Sequence, residues 1–183
     1  MSRLVPVVVI ILAGIVAGAQ GFAVSTANVQ TAAGGSVQVP VNVEGAQNVG
    51  SMDIALQYDP SALEFSTANN GGLLKGMVSP STDGAGGLAL AIIDSKGISG
   101  TGSVVVLTFN VKGKDGTSTP VTVKSAKAND LTTLADIPVT VSSGSVTIGQ
   151  VSAGKKTPGF APALAITAFA LVLVMRRGNR KDR

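Results

Sequence analysis

The middle of this sequence predicts an all-β fold, an antiparallel β-sandwich or jelly roll, on three observations. Between residues 24 and 148, apolar and polar residues alternate at period two in several short runs. The runs are separated by Gly, Pro, Asn, Asp and Ser, the residues of tight turns. Apolar residues at helical spacing are scarce, apart from single turns after Pro60 and near Leu131. Roughly seven to nine short strands in a stretch of this length suit a single sandwich domain.

Each run makes its own case. Val37, Val39, Val41 and Val43 face one way while Gln38, Pro40 and Asn42 face the other. Met52, Ile54, Leu56 and Tyr58 share a face, opposed by Ser51, Asp53, Ala55 and Gln57. Leu88, Leu90 and Ile92 alternate with Ala89, Ala91 and Ile93, and Val105, Leu107, Phe109 and Val111 with Val104, Val106, Thr108 and Asn110. Later runs cover Pro120 to Ser125, Ile137 to Val141 and Ser145 to Ile148. Gly34-Gly35, Gly71-Gly72, Gly86-Gly87 and Asp115-Gly116 mark turns, and Pro40 and Pro120 belong at edges, strand starts or bulges.

Charge must be read by region. The whole chain of 183 residues carries a net +4, but all its arginines are terminal: Arg3, Arg176, Arg177, Arg180 and Arg183. Residues 20 to 154 hold six lysines against nine acids, scattered, which leaves the middle near −3. A phosphate-binding stripe, and with it nucleic acid as a partner, is excluded. The absence of histidine and cysteine removes Ser-His-Asp and Cys-His catalysis, disulfides, and nearly every zinc or copper site.

The two ends read as addresses. Met1-Ser2-Arg3 precedes an apolar run from Leu4 to Val16, and Ala17-Gly18-Ala19 supplies the small-x-small pattern of signal peptidase. Residues 1–19 are therefore expected to be a signal peptide, with the domain spanning 20–148. After a short linker, 149–157, comes Pro158-Gly159-Phe160, then an apolar stretch at 161–175 and a basic tail at 176–183. The stretch is expected to form a transmembrane helix with the tail cytoplasmic, which puts the domain outside.

A short motif, a short span and a basic tail in this order resemble the PGF-CTERM signal of archaeal surface proteins. That resemblance implies recognition by an archaeosortase, removal of the tail, and attachment of the new C-terminus to a membrane lipid. It places the protein at the cell surface, on the extracellular face of the membrane.

Three stretches of the middle carry a second resemblance. They are Ser36-Val-Gln-Val-Pro-Val-Asn-Val43, Gly50-Ser-Met-Asp-Ile-Ala-Leu-Gln-Tyr-Asp-Pro-Ser-Ala-Leu-Glu-Phe65, and Gly102-Ser-Val-Val-Val-Leu-Thr-Phe-Asn-Val-Lys112, followed by Thr119-Pro120-Val121. In this order they resemble a cohesin domain, and Tyr58-Asp59-Pro60 with Leu63-Glu64 is the most specific part. The resemblance implies a nine-stranded jelly roll without catalytic activity. It also implies a dockerin, a small calcium-loaded helical module, as partner on one flat sheet face. Ser51 and Asp53 fall on the strand whose outward residues bond the dockerin. Ser51 stands where asparagine is common, and Ile93 where some cohesins carry an acid; the Ile93 departure implies a more apolar contact, or none.

The residues themselves point to the same region. With the large apolar residues inside, the outward set is Ser51, Asp53, Ala55, Ala91, Ile93, Val104, Val106 and Thr108. Small, flat and partly apolar surfaces of this kind serve as partner sites. Other chemistries find less. Asp53 and Asp94 are a pair of acids weighed as sharing one face for glycoside hydrolysis, yet nothing marks a cleft. Asp83-Gly84, Asp94-Ser95 and Asn129-Asp130 are turn clusters that calcium uses, but none has an EF-hand pattern, so no cofactor is expected. A carbohydrate-binding module would need exposed aromatics, and residues 24–148 offer only Tyr58, Phe65 and Phe109. The stronger alternative to capture of a secreted partner is a self-associating envelope or filament subunit, which needs only self-complementary faces or edges.

Overall fold

A computed structural model describes residues 20–149. The signal peptide with Ala17 and Ala19, most of the linker, the Pro158-Gly159-Phe160 motif, the 161–175 span and the tail lie outside the described residues. Among the described residues, no helix is long and apolar enough to cross a membrane.

The described elements are all strands: β1 (Phe22–Thr26), β2 (Val29–Thr31), β3 (Ser36–Gln57), β4 (Leu63–Asn70), β5 (Met77–Thr82), β6 (Gly87–Val111), β7 (Ser118–Asp130), β8 (Asp136–Ile137), β9 (Val139–Ser142) and β10 (Gly144–Ile148). Ten segments stand where nine strands were expected, β2 and β8 being only three and two residues, while β3 and β6 are long enough to serve both layers. They pair antiparallel along their whole lengths, from Ser36↔Asn110 to Gln57↔Gly87, with register shifts between Val43 and Ser51. At those shifts the ribbon folds over. Gly45 and Gly100, at φ +74° and +104°, supply backbone conformations that a side chain would strain.

Folding the ribbon yields two layers. In one, the first half of β3 (36–43) and the second half of β6 (102–111) are flanked by β1 and β9 on one side and β4 on the other. In the other, the second half of β3 (49–57) and the first half of β6 (87–93) are flanked by β7 and β5. β10 and β2 continue from the start of β7, and β8 pairs with its end.

The alternating apolar residues meet between the layers. Val37, Val39, Val41 and Val43 of one layer and Met52, Ile54, Leu56 and Tyr58 of the other are all buried, as are Leu88, Leu90, Ile92, Val105, Leu107, Phe109 and Val111. Phe109 is the largest of the fully buried side chains, and the rings of Tyr58 and Phe65 meet it edge-on at 5.1 and 5.9 Å. Each such side chain contributes about 1.5–3 kcal/mol by leaving water. Among the described residues, the core runs from Phe22 to Ile148.

Pro40 lies inside β3, yet it breaks no pairing. A strand residue's N–H and C=O point to the same side, and the Pro40 carbonyl accepts a bond from Ala27 N–H, just beyond the end of β1. The missing N–H therefore faces the gap where β1 stops. Pro120 pairs with Ser145 of β10, before β7 meets β3 at Thr122. Both prolines sit where one neighbouring strand is missing.

Candidate partner-binding face

The layer made of β5, the first half of β6, the second half of β3 and β7 leaves its outer side open. Register sets the outward residues in rows. Met77, Ile93, Ser51 and Asn129 lie side by side, then Ser79, Ala91, Asp53 and Lys127, then Ser81, Ala89, Ala55 and Ser125. Neighbouring strands are about 4.8 Å apart, so each row spans a flat strip. Most of these side chains are short. The middle rows enclose a shallow depression of about 420 Å³ bordered by Asp53, Ala55, Ser79, Ser81, Ala91 and Lys127.

Asp53 is exposed at the centre of this face, between Ala91 and Lys127. The first row carries the apolar weight: Met77 is 66% and Ile93 57% exposed, and the two are register partners. Ser51 donates a 3.4 Å hydrogen bond to Asn129 Oδ1, and Asn129 Nδ2 donates to Asp136 Oδ1 at 2.8 Å, which holds that end of the row in place.

Of the residues expected to share a face, the fold brings together Ser51, Asp53, Ala55, Ala91 and Ile93. Val104, Val106 and Thr108 do not join them. They follow the fold in β6 and so belong to the opposite layer, where Val106 pairs with Pro40 and Thr108 with Gln38. Val104 is not outward at all but 0% exposed. Val105 pairs with Val41 and Ser103 with Asn42, leaving Val104 as the extra residue of a bulge that turns it inward.

Sequence reasoning also missed half of this face. Ser79 and Ser81 sit on β5, whose run Met77-Val-Ser-Pro-Ser-Thr82 is broken by Pro80 and has few apolar positions to betray its period. Lys127 and Ser125 sit past a bulge in β7, where the partners jump from Leu56↔Val123 to Ala55↔Ser125. Beyond it the inward residues are only Ala126 and Ala128, too small to announce a core face.

The acids weighed for other chemistry are occupied or turned away. Asp53 points out of the sheet, whereas Asp94, 2% exposed, points in like its neighbour Ile92, so the two never share a cleft. Asp94 Oδ2 accepts from the backbone N–H groups of Lys75 and Gly76 and its Oδ1 from that of Lys96, at 2.8–3.1 Å. Burial pushes its pKa up, but these three bonds and the Lys96 charge outweigh it and hold the carboxyl below its ordinary value. Asp83 Oδ1 accepts from Ala85 and Gly87 N–H. Asp130 Oδ1 accepts from the Thr132 and Thr133 N–H groups and the Thr133 hydroxyl, and its Oδ2 from Asn48. These carboxylates close turns.

The layout just described is matched by the family model for the cohesin domain over residues 22–148. The chain belongs to the cohesin family. Cohesin domains are non-catalytic protein-interaction modules.

Solved cohesins share the fold. A non-cellulosomal cohesin from the hyperthermophilic archaeon Archaeoglobus fulgidus is 26% identical, with a TM-score of 0.64 over 72% of this chain and 93% of that one. The sixth cohesin of scaffoldin B from Acetivibrio cellulolyticus, solved in complex with a Cel5 dockerin mutant, is 25% identical, with a TM-score of 0.65 over 70% of this chain and 99% of that one. A cohesin from a Clostridium thermocellum cohesin–dockerin complex shares the fold at 16% identity, with a TM-score of 0.65 over 70% of this chain and 99% of that one. These solved chains consist of little more than the matched domain. No curated protein matches the sequence.

Proposed function

We propose that this chain is an exported, membrane-anchored surface protein whose cohesin domain holds a dockerin-bearing or other secreted partner near the cell. In this reading signal peptidase removes residues 1–19. An archaeosortase then acts at Pro158-Gly159-Phe160 and a lipid replaces the tail. The observation that carries the binding role is the open face itself: three rows of short side chains around exposed Asp53, with an apolar pair at Met77 and Ile93. The Acetivibrio cellulolyticus relative, solved with a dockerin, supports a dockerin-like occupant. The archaeal relative supports the surface setting only by its source. A sugar-binding role finds no exposed aromatic platform among the described residues, since Tyr58 and Phe109 are buried and Phe65 is half-buried.

The test is a pull-down from secreted and membrane fractions of the source organism. The baits are residues 20–149, the Asp53→Lys variant, and a Gln38→Lys variant that places the same charge on the opposite layer. Capture of one dockerin-bearing protein by the parent and Gln38→Lys but not by Asp53→Lys is the expected result; equal capture by all three overturns the assignment of the face. For the ends, intact mass of the cell-derived protein should lack residues 1–19 and the basic tail, and a retained Arg183 would refute the sorting step.

A further inference from the structure

Asp53 and Lys127 are the only charged residues in the three rows of the open face, and they stand directly opposite one another on β3 and β7. Both are exposed, and the ion pair formed among the described residues is instead Lys112–Glu64, at 3.5 Å. One cation and one anion side by side make a surface complementary to itself. We propose that, while no partner is bound, a second copy of this chain covers the β3 and β7 side of the face, with Asp53 at its centre, in a two-fold dimer joined by reciprocal Asp53–Lys127 pairs, so that self-association and partner capture exclude each other. The inference rests on the reading of this face as the partner site and adds a regulation to it.

Symmetry makes the arrangement specific. A two-fold axis lying in the face, parallel to the strands and midway between β3 and β7, carries each Asp53 onto the Lys127 of the other copy. The same operation sets Ser51 against Asn129 and Ala55 against Ser125, all short enough for two sheets to approach to about 10 Å. β6 lies one strand outside β3, and β8 one strand outside β7. Ile93 is therefore carried to the β8 side, over exposed Asp136, the register partner of Asn129.

The size of the overlap sets the strength. Only β3 and β7 overlap in full, since β8 has two residues and β5 has no counterpart; two strands by about six residues cover roughly 10 by 20 Å, near 200 Å² per copy, about a quarter of what a stable complex buries on each side. The dimer is accordingly weak and exchangeable, and a partner with further contacts displaces it.

Sedimentation velocity on residues 20–149, from micromolar concentrations up to about 1 mM, tests this. The parent should pass from monomer to dimer as concentration rises. Asp53→Lys and Lys127→Asp should each weaken the dimer at least about 10-fold, because each creates two like-charge contacts. An equimolar mixture of the two variants should recover the dimer, since one copy then presents two cations and the other two anions; recovery also shows that both variants are folded. A parent that stays monomeric, variants that dimerise as the parent does, or a mixture that stays monomeric overturns the proposal. A monomeric parent that still captures a dockerin-bearing protein would sink the dimer and leave the partner reading intact. Parent dimers with no capture by diluted monomer would do the reverse.

Discussion

The two halves of β6 carry nearly the same alternation and are finished in opposite ways. In the first half, Ala89, Ala91 and Ile93 stand exposed over buried Leu88, Leu90 and Ile92. In the second, Val106 and Thr108 are half-covered and Val104 is swallowed entirely. Neighbours make the difference. The first half lies between β3 and β5, whose outward residues are Ser51, Asp53, Ser79 and Ser81. Along the edge of the second half the chain leaving β4 keeps pairing, Gly71 N–H with the Val104 carbonyl and Leu73 N–H with the Ser103 carbonyl, and the bulge against β3 turns Val104 inward.

The largest expected effect tests that contrast directly. Val104→Asp places a carboxylate at a position with no water and should cost at least about 4 kcal/mol, enough to leave the domain largely unfolded in a urea titration. Should the variant lose less than about 1 kcal/mol, the bulge that buries Val104 is wrong. Next in size, Phe109→Ala removes the ring on which Tyr58 and Phe65 converge and should cost about 3–5 kcal/mol, read as a lower urea midpoint.

Asp94→Ala should cost about 3 kcal/mol, because the N–H groups of Lys75, Gly76 and Lys96 lose their acceptor beside the open face. Its acid response has a definite sign. The folded carboxyl holds its proton less tightly than the ordinary value of 3.8, so its contribution is complete above that pH and lost as pH falls through the lower folded value. Asp59 acts in the same sense, its pKa lowered by the Ser61 hydroxyl and N–H, as does Asp130, lowered by the Thr133 N–H and hydroxyl. Thermal unfolding should therefore be nearly level from pH 8 to about 5 and fall steeply below about 3.8, less steeply in Asp94→Ala. A melting temperature that rises below pH 3.8 would contradict this network.

The smallest effect completes the contrast. Ile93→Asp makes the same kind of change as Val104→Asp on the open half of β6, and should alter stability by no more than about 0.5 kcal/mol while abolishing partner capture. A large loss of stability there would mean that the first row is packed rather than available.

Much of the fold was legible because alternation reports parity along a strand. Every large residue assigned inward in the runs of β3 and β6 is buried. Turn assignments at Gly34, Gly86 and Gly116 coincide with positive φ. The face was legible only in part. Ser51, Asp53 and Ala55 could be assigned outward from their own run, and Ala91 and Ile93 from theirs, but Lys127, Ser79 and Met77 could not. Their strands carry a proline or a bulge, and their inward residues are small.

The sequence by itself determined the strand class, the inward set and the absence of histidine and cysteine chemistry, because a period of two and a composition are local properties. Tertiary structure alone decided which layer each half of β3 and β6 joins, and hence that Val104, Val106 and Thr108 leave the face that Asp53 occupies. Alternation distinguishes the two sides of one strand, whereas membership of a sheet depends on hydrogen bonds to residues far away in the chain. A one-residue bulge then inverts the local parity, and only the partner strand reveals where it falls.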